Sequence, residues 1–235
     1  TGALFAFLNM YLRFVSDIQP THVLAAFDRK EPTFRHQLFG DYKGTRKPMP
    51  DDLAVQMPLL RQLLDAMGVS RVDLEGYEAD DLIGTYARIA SQNGFKVVIL
   101  TGDKDSFQLI GDRITVVQPV TRNGRTENER YDREAVLSRY GITPEQFVDL
   151  KAIMGDPSDN IPGVRGIGEK GAMTLIAEFG SLERIYESLD QIKKPLAEKL
   201  ANSREIAFLS RELSRICLTV PVSGQLDEFV NKSPD

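Results

Sequence analysis

The sequence predicts an α/β fold, a largely parallel sheet whose strands alternate with helices, followed by a segment that is helical throughout. Three observations carry this. Apolar runs at 21–28, 70–76, 95–103 and 112–120 are separated by stretches with apolar side chains at helical spacing. Strand signals stop after about Tyr131, and helical spacing continues from there to about Cys217. Acidic residues close two of the runs and open the helix behind a third, which is where open parallel sheets bind their ligands.

Taken in order, Ala3 to Val15 form a helix that Gln19-Pro20 ends, and THVLAAFD is a short strand delivering Asp28 at its end. From Arg29 to Pro50 the pattern gives way to basic, aromatic and turn residues, a long excursion of the kind that compact domains keep for function. Asp51 or Asp52 caps a helix expected to run through Met67. SRVDLEG is the second strand, Ala79 to Asn93 a helix with Asp80 and Asp81 in its first turn, FKVVILTGD the third strand and DRITVVQPV the fourth. Gly102 and Gly124 read as turn glycines. Helices at Arg133–Tyr140 and Thr143–Met154 precede the glycine-rich stretch IPGVRGIGEKGAMTLIAEFG. A domain boundary is expected near Gly155, giving a core over 1–155 and a helical unit over 156–222, with 223–235 as a linker or frayed tail.

At 235 residues, with 42% hydrophobic and 27% charged side chains, the chain is an ordinary globular protein with enough length for a substantial core. No apolar run reaches the ~18 residues that a membrane span requires, so no membrane role is expected. The single cysteine, Cys217, excludes an internal disulfide, and no Cys/His set spells a zinc site; a reducing, cytoplasmic setting fits. No phosphate-cradling GxxxxGK[ST] loop is present, which leaves nucleoside triphosphate use unsupported. The net charge of −5 argues against a uniformly basic nucleic-acid binder, but six Lys/Arg face two acids between Arg29 and Lys47, and six face three between Lys193 and Arg215. Basic segments beside an acidic pocket suit a polyanion.

Eight carboxylates stand in four clusters: Asp28 in AAFD; Glu78, Asp80 and Asp81 in GYEADD; Asp103 and Asp105 in LTGDKD; Asp156 and Asp159 in MGDPSDN. An aspartate pair at a helix start is more often a dipole partner than a ligand. Asp103 alone could be a turn residue neutralised by Lys104. The whole constellation is another matter, because converging carboxylates repel, and the usual remedy is Mg²⁺ or Mn²⁺ held by oxygen ligands. Two ions ~3.5–4 Å apart need such a surplus, and this points to metal-dependent phosphoryl transfer. Gly163, Gly166 and Gly168 permit a tight hairpin whose amides can face a phosphate, with Lys170 beside it.

GYEADD, LTGDKD, LKAIMGDPSDNIPGVRGIGEK and FRHQLFGDYKGTR together resemble the bacterial 5′-nuclease family, the flap-endonuclease-like domain at the N-terminus of bacterial DNA polymerase I, over the chain to about Val222. The resemblance implies a PIN-like nuclease core, a helical arch at about 29–50 threaded by a single-stranded 5′ flap, and a C-terminal helix-hairpin-helix that grips duplex DNA, commonly with a K⁺ ion. It makes Asp28, Glu78, Asp80, Asp103 and Asp105 ligands of two or more Mg²⁺ or Mn²⁺ ions, with Asp81, Asp156 and Asp159 as further ligands or outer groups acting through water. Lys43 and Arg46 match the catalytic arch residues that contact the scissile phosphate. Arg35, Gly163, Gly166, Gly168 and Lys170 are further DNA-binding expectations; Phe34, Phe39 and Tyr42 could stack on bases or form the arch's apolar seam, and His36 could pack. The family also carries an Asp-Gly-Asn-like turn after a first strand, and the core over 1–155 starts after that element: either a preceding segment carries it, or this form lacks that metal ligand. A monomer in the bacterial cytoplasm, with a polymerase following in the parent chain, completes the expectation. Its rivals are a non-catalytic module for branched DNA, should the first ligand be absent, and an acid-rich phosphatase, which leaves the glycine hairpin unexplained.

Overall fold

A computed structural model of the protein describes residues 2–122 and 125–231. Helix α1 (Gly2–Ile18) leads into β1 (Leu24–Ala26), and the basic excursion holds only the short α2 (Phe34–Leu38) and a run of turns. The helix expected through Met67 is split into α3 (Asp51–Ala54) and α4 (Gln56–Ala66). Pro58 accounts for the break, since it has no N–H to donate to the Ala54 carbonyl. Next come β2 (Ser70–Val72), α5 (Ala79–Gln92), β3 (Val97–Leu100), a 3₁₀ helix at Lys104–Leu109 and β4 (Ile114–Arg122).

β1 pairs with β2 and β3 with β4, both in parallel, as two small sheets, and α5 packs on a strand of each. β4 also pairs antiparallel with β5 (Arg125–Tyr131), a polar edge strand that the sequence pattern did not announce. Gly124, where a turn is expected, lies outside the described residues.

The rest is helical: α6 (Arg133–Tyr140), α7 (Phe147–Met154) behind a 3₁₀ turn at Pro144–Gln146, α8 (Glu169–Phe179), α9 (Leu182–Glu187), α10 (Lys194–Asn202) and α11 (Arg204–Ser214). Asp132 caps α6 by accepting the Ala135 amide at 2.9 Å, and Gly141 ends it in the left-handed region at φ +69°. One apolar cluster runs from Ile99 and Val116 through Phe107 and Ile153 to Ile176 and Leu200. The core is therefore continuous across Gly155, with no apolar gap where a boundary is expected.

The described part of the expected tail, through Asn231, packs on the body. Phe229 is buried and meets Tyr86 edge-on at 5.0 Å between centroids, while Val23 donates its amide to the Phe229 carbonyl at 2.8 Å. The polar composition around Phe229 conceals this one aromatic anchor.

Candidate active site

The carboxylates arrive from the ends of strands and the start of one helix. Asp28 follows β1 and accepts the Ala79 amide at 2.8 Å, tying the strand end to the N-terminus of α5. Asp103 follows β3 and caps the next 3₁₀ turn by accepting the Asp105 amide at 2.9 Å. Asp80 lies between them in the first turn of α5. Burial, then repulsion from Asp103, Asp28, Asp105 and Glu78, pushes the Asp80 carboxyl up to about 7. Burial also raises Asp105 to about 6, against the opposing charge of Lys151.

Among the described residues no cation lies within ion-pair distance of Asp28, Asp80 or Asp103. Lys104, the expected partner of Asp103, lies instead over the Tyr140 ring, 5.5 Å from its centroid. No three ligating side chains among the described residues converge closely enough to make a preassembled metal cage. The donors are nonetheless all oxygen and carry uncompensated negative charge, which is the chemistry a hard divalent cation requires.

The remaining carboxylates are paired with cations. Lys43 Nζ is 2.6 Å from Glu78 Oε1, and Arg46 pairs with Asp159 while donating from Nε to the Ser158 carbonyl at 3.3 Å. Tyr42 is buried, and its hydroxyl donates toward Glu78 at 3.1 Å and Asp159 at 3.3 Å, so it braces the site and has no face free for a base. Lys151, which no sequence motif marks, sits between two clusters: its Nζ is 2.6 Å from Asp105 Oδ1 and also pairs with Asp156. Burial pulls the Lys151 pKa down, but the two carboxylates outweigh it and hold the ammonium charged. Its signal was positional, since it lies one helical turn ahead of the MGDPSDN carboxylates.

Two expectations do not survive. Asp81 is fully buried and accepts two hydrogen bonds from Arg35, at 2.7 and 2.8 Å, together with the amides of Glu78 at 3.0 Å and Cys217 at 2.8 Å. Those bonds occupy both its oxygens, so it is a structural anchor and no metal ligand. Arg35 is correspondingly unavailable to DNA: it is 3% exposed, and its remaining donors go to the carbonyls of Leu213 at 2.9 Å and Arg215 at 2.7 Å. His36 Nδ1 accepts the Thr33 amide at 3.0 Å and serves the cap of α2. Phe39 packs with Tyr42, Ile161 and Leu213, and Phe34 lies beside Tyr77.

At the glycine hairpin the three glycines differ. Gly163 has φ +60°, and a Cβ there would come 2.3 Å from the Gly155 nitrogen, so the two backbones touch. Its amide is spent on Ser210 Oγ at 3.0 Å and does not face outward. Gly166 holds φ +80°, whereas Gly168 has the ordinary φ of −90° with open space around it. The amides of Gly166 and Gly168 have no partner among the described residues, and Lys170 is exposed beside them.

A family model described as 5′-3′ exonuclease, N-terminal resolvase-like domain, matches residues 1–141, and one described as 5′-3′ exonuclease, C-terminal SAM fold, matches residues 142–235. The chain is 47% identical over 236 residues to DNA polymerase I of Bacillus caldotenax, covering 100% of the chain and 27% of that protein. To DNA polymerase I of Bacillus subtilis it is 47% identical over 223 residues, covering 94% and 25%. The chain thus spans about a quarter of the length of these curated relatives. Its fold resembles T5 5′-exonuclease solved with bound zinc, with a TM-score of 0.75 at 24% identity over 91% of this chain and 81% of that one. The catalytic core of Rad2 in complex with a DNA substrate matches with a TM-score of 0.58 at 23% identity, over 90% and 68%.

Proposed function

The chain belongs to the 5′-3′ exonuclease family, and from that premise we propose that it is a structure-specific 5′ nuclease that hydrolyses phosphodiesters at flaps and nicked or branched junctions of DNA in replication and repair. The observation that carries the reading is the contrast between Asp28, Asp80 and Asp103, crowded and with no cation in reach among the described residues, and the ammonium of Lys43 and guanidinium of Arg46 on the opposing cluster.

Asp28, Asp80, Asp103 and Asp105 would hold one part of a Mg²⁺ or Mn²⁺ site, and Glu78, Asp156 and Asp159 the other. Bound divalent ions supply Lewis-acid chemistry, neutralising phosphate charge and making water a better nucleophile. Lys43 and Arg46 orient the scissile phosphate. An incoming phosphate replaces Glu78 and Asp159 as their partners, so these ion pairs keep both cations extended toward the site until DNA arrives. Arg46 offers a planar fork to two phosphate oxygens, and Lys43 a movable point charge. On the helical side, the amides of Gly166 and Gly168, with Lys170, hold a duplex phosphate and fix where along the DNA the cut falls; a K⁺ ion at this turn belongs to the same proposal. The duplex-binding unit is taken as residues 156–222 and the nuclease core with its arch as 1–155. A monomer in the cytoplasm, with a polymerase in the same parent chain, fits this role.

The test is cleavage of a 5′-labelled flap with Mg²⁺ or Mn²⁺ against EDTA. Metal-dependent release of the flap is expected, lost in Asp103→Asn with flap binding in Ca²⁺ kept. Tight flap binding with no cleavage would favour the non-catalytic DNA-binding module instead.

A further inference from the structure

A seam of two hydrogen bonds joins the turn that carries Lys43, in the basic excursion, to the acidic turn that leads into the hairpin. Asn160 donates from Nδ2 to the Asp41 carbonyl at 2.7 Å, and Lys43 donates its amide to the Asp159 carbonyl at 2.8 Å. Asn160 and Lys43 are two of only three non-glycine residues with positive φ among the described residues, at +57° and +56°. Such backbone is strained for a residue with a Cβ and persists only where its surroundings over-determine it. That both lie on facing sides of one seam marks a demand on position.

The bond from Asn160 acts on the turn that carries Lys43. The Asp41 carbonyl it holds also receives the Gly44 amide at 2.9 Å, closing the turn from which the Lys43 side chain reaches Glu78. On its own side Asn160 is fixed by the pairing of Asp156 with Ile161, whose amides and carbonyls exchange bonds of 2.9 and 2.8 Å, and by the contact of Gly155 with Gly163. Asparagine adopts the left-handed region more readily than most side chains and can donate across the seam. Asn160 has no other hydrogen bond from its side chain among the described residues.

We propose that Asn160 is a positioning residue: it sets the place of the Lys43 ammonium relative to the carboxylate cluster and carries the registration of the duplex-side hairpin to the base of the arch. This rests on the nuclease reading above. Asn160→Gly tests it, because glycine keeps the left-handed backbone and removes only the side chain. At saturating enzyme, single-turnover cleavage of a 5′ flap is expected to fall about tenfold, with duplex affinity within about twofold of the parent and the cut spread over neighbouring positions. The deciding measurement is a double-mutant cycle with Lys43→Ala, itself expected to cost about 10²-fold. If Asn160 acts through Lys43, adding Asn160→Gly to Lys43→Ala costs less than about twofold; losses that multiply overturn the proposal. Asn160→Asp, which keeps size and loses the donor, should match or exceed the defect of Asn160→Gly.

A readout free of catalysis stands beside these. In EDTA, Asn160→Gly should speed amide exchange at Lys43 and Gly44 without changing the melting temperature by more than a few degrees. Unchanged protection at both amides overturns the proposal. A parent chain that never cuts refutes the nuclease reading by itself, and the exchange result then decides whether the clamp exists.

Discussion

Arg35 and Asp81 meet in the interior through two parallel hydrogen bonds of 2.7 and 2.8 Å, and each spends its remaining capacity on backbone from elsewhere in the chain. A buried pair of this kind is costly to break from one side, since the survivor is left charged and without a partner. Arg35→Met is therefore expected to destabilise the fold by about 3–5 kcal/mol in urea unfolding. The fraction that remains folded should bind duplex DNA as the parent does. A stable Arg35→Met protein with weakened DNA binding would return Arg35 to the DNA interface.

The raised carboxyls of Asp80, at about 7, and Asp105, at about 6, make stability without metal depend on pH. An unfolded aspartate titrates near ~3.9, so between about 4 and 7 the folded state holds more protons than the unfolded one, and stability falls as pH rises through that window. The expected loss is about 1–3 kcal/mol in EDTA, discounted because water reaches part of Asp80. Saturating Mn²⁺ should remove most of the slope, because the ion replaces the proton. Urea midpoints from pH 4.5 to 8, with and without Mn²⁺, give the answer; stability that rises with pH in EDTA contradicts the crowded-carboxylate reading.

Lys151 holds Asp105 and Asp156 together, so Lys151→Met leaves two carboxylates facing each other without a cation. The variant should lose about 2–4 kcal/mol in EDTA at pH 7.5, and Mn²⁺ should restore at least half of it. An equal loss with and without Mn²⁺ would reduce Lys151 to packing.

Gly163 and Gly168 should separate cleanly. Gly163→Ala places a Cβ 2.3 Å from the Gly155 nitrogen at φ +60° and is expected to cost about 3 kcal/mol or more in stability. Gly168→Ala, with open space and ordinary φ, should stay within about 0.5 kcal/mol. Any defect in Gly168→Val should appear in binding to fully duplex DNA and spare a single-stranded 5′ flap. Equal losses on both, with the fold intact by circular dichroism, would remove the hairpin from the duplex interface.

The site is legible in the sequence where chemistry coincides with strand ends: Asp28 and Asp103 close apolar runs, and Asp80 opens a helix. What sequence conceals is burial. FRHQLFGDYKGTR reads as part of a basic and aromatic excursion facing DNA, yet Arg35 turns inward because Asp81 and carbonyls 178 and 180 residues away receive it. Tyr42 looks like a platform for bases until the fold closes Ile161 and Leu213 around it. Lys151 is disguised by the apolar residues of α7 on either side of it, and its role needs Asp105, from the 3₁₀ helix after β3, to become visible. β5 is missed because TENERY is polar, as an edge strand is entitled to be; the Asn-Gly step before it was the available hairpin signal.

The apolar cluster that passes without interruption from Ile99 to Leu200 bears on how this protein can be recombined. The matched family models divide at residues 141 and 142, and that division invites exchange of the helical half between relatives. Phe107 packs against Phe147, however, with ring centroids 5.2 Å apart, and the two lie on opposite sides of the junction. A chimera joined there inherits two half-interiors shaped by different histories. It should recover cooperative melting only when the aromatic pair and the residues around Ile153 and Val164 come from one parent.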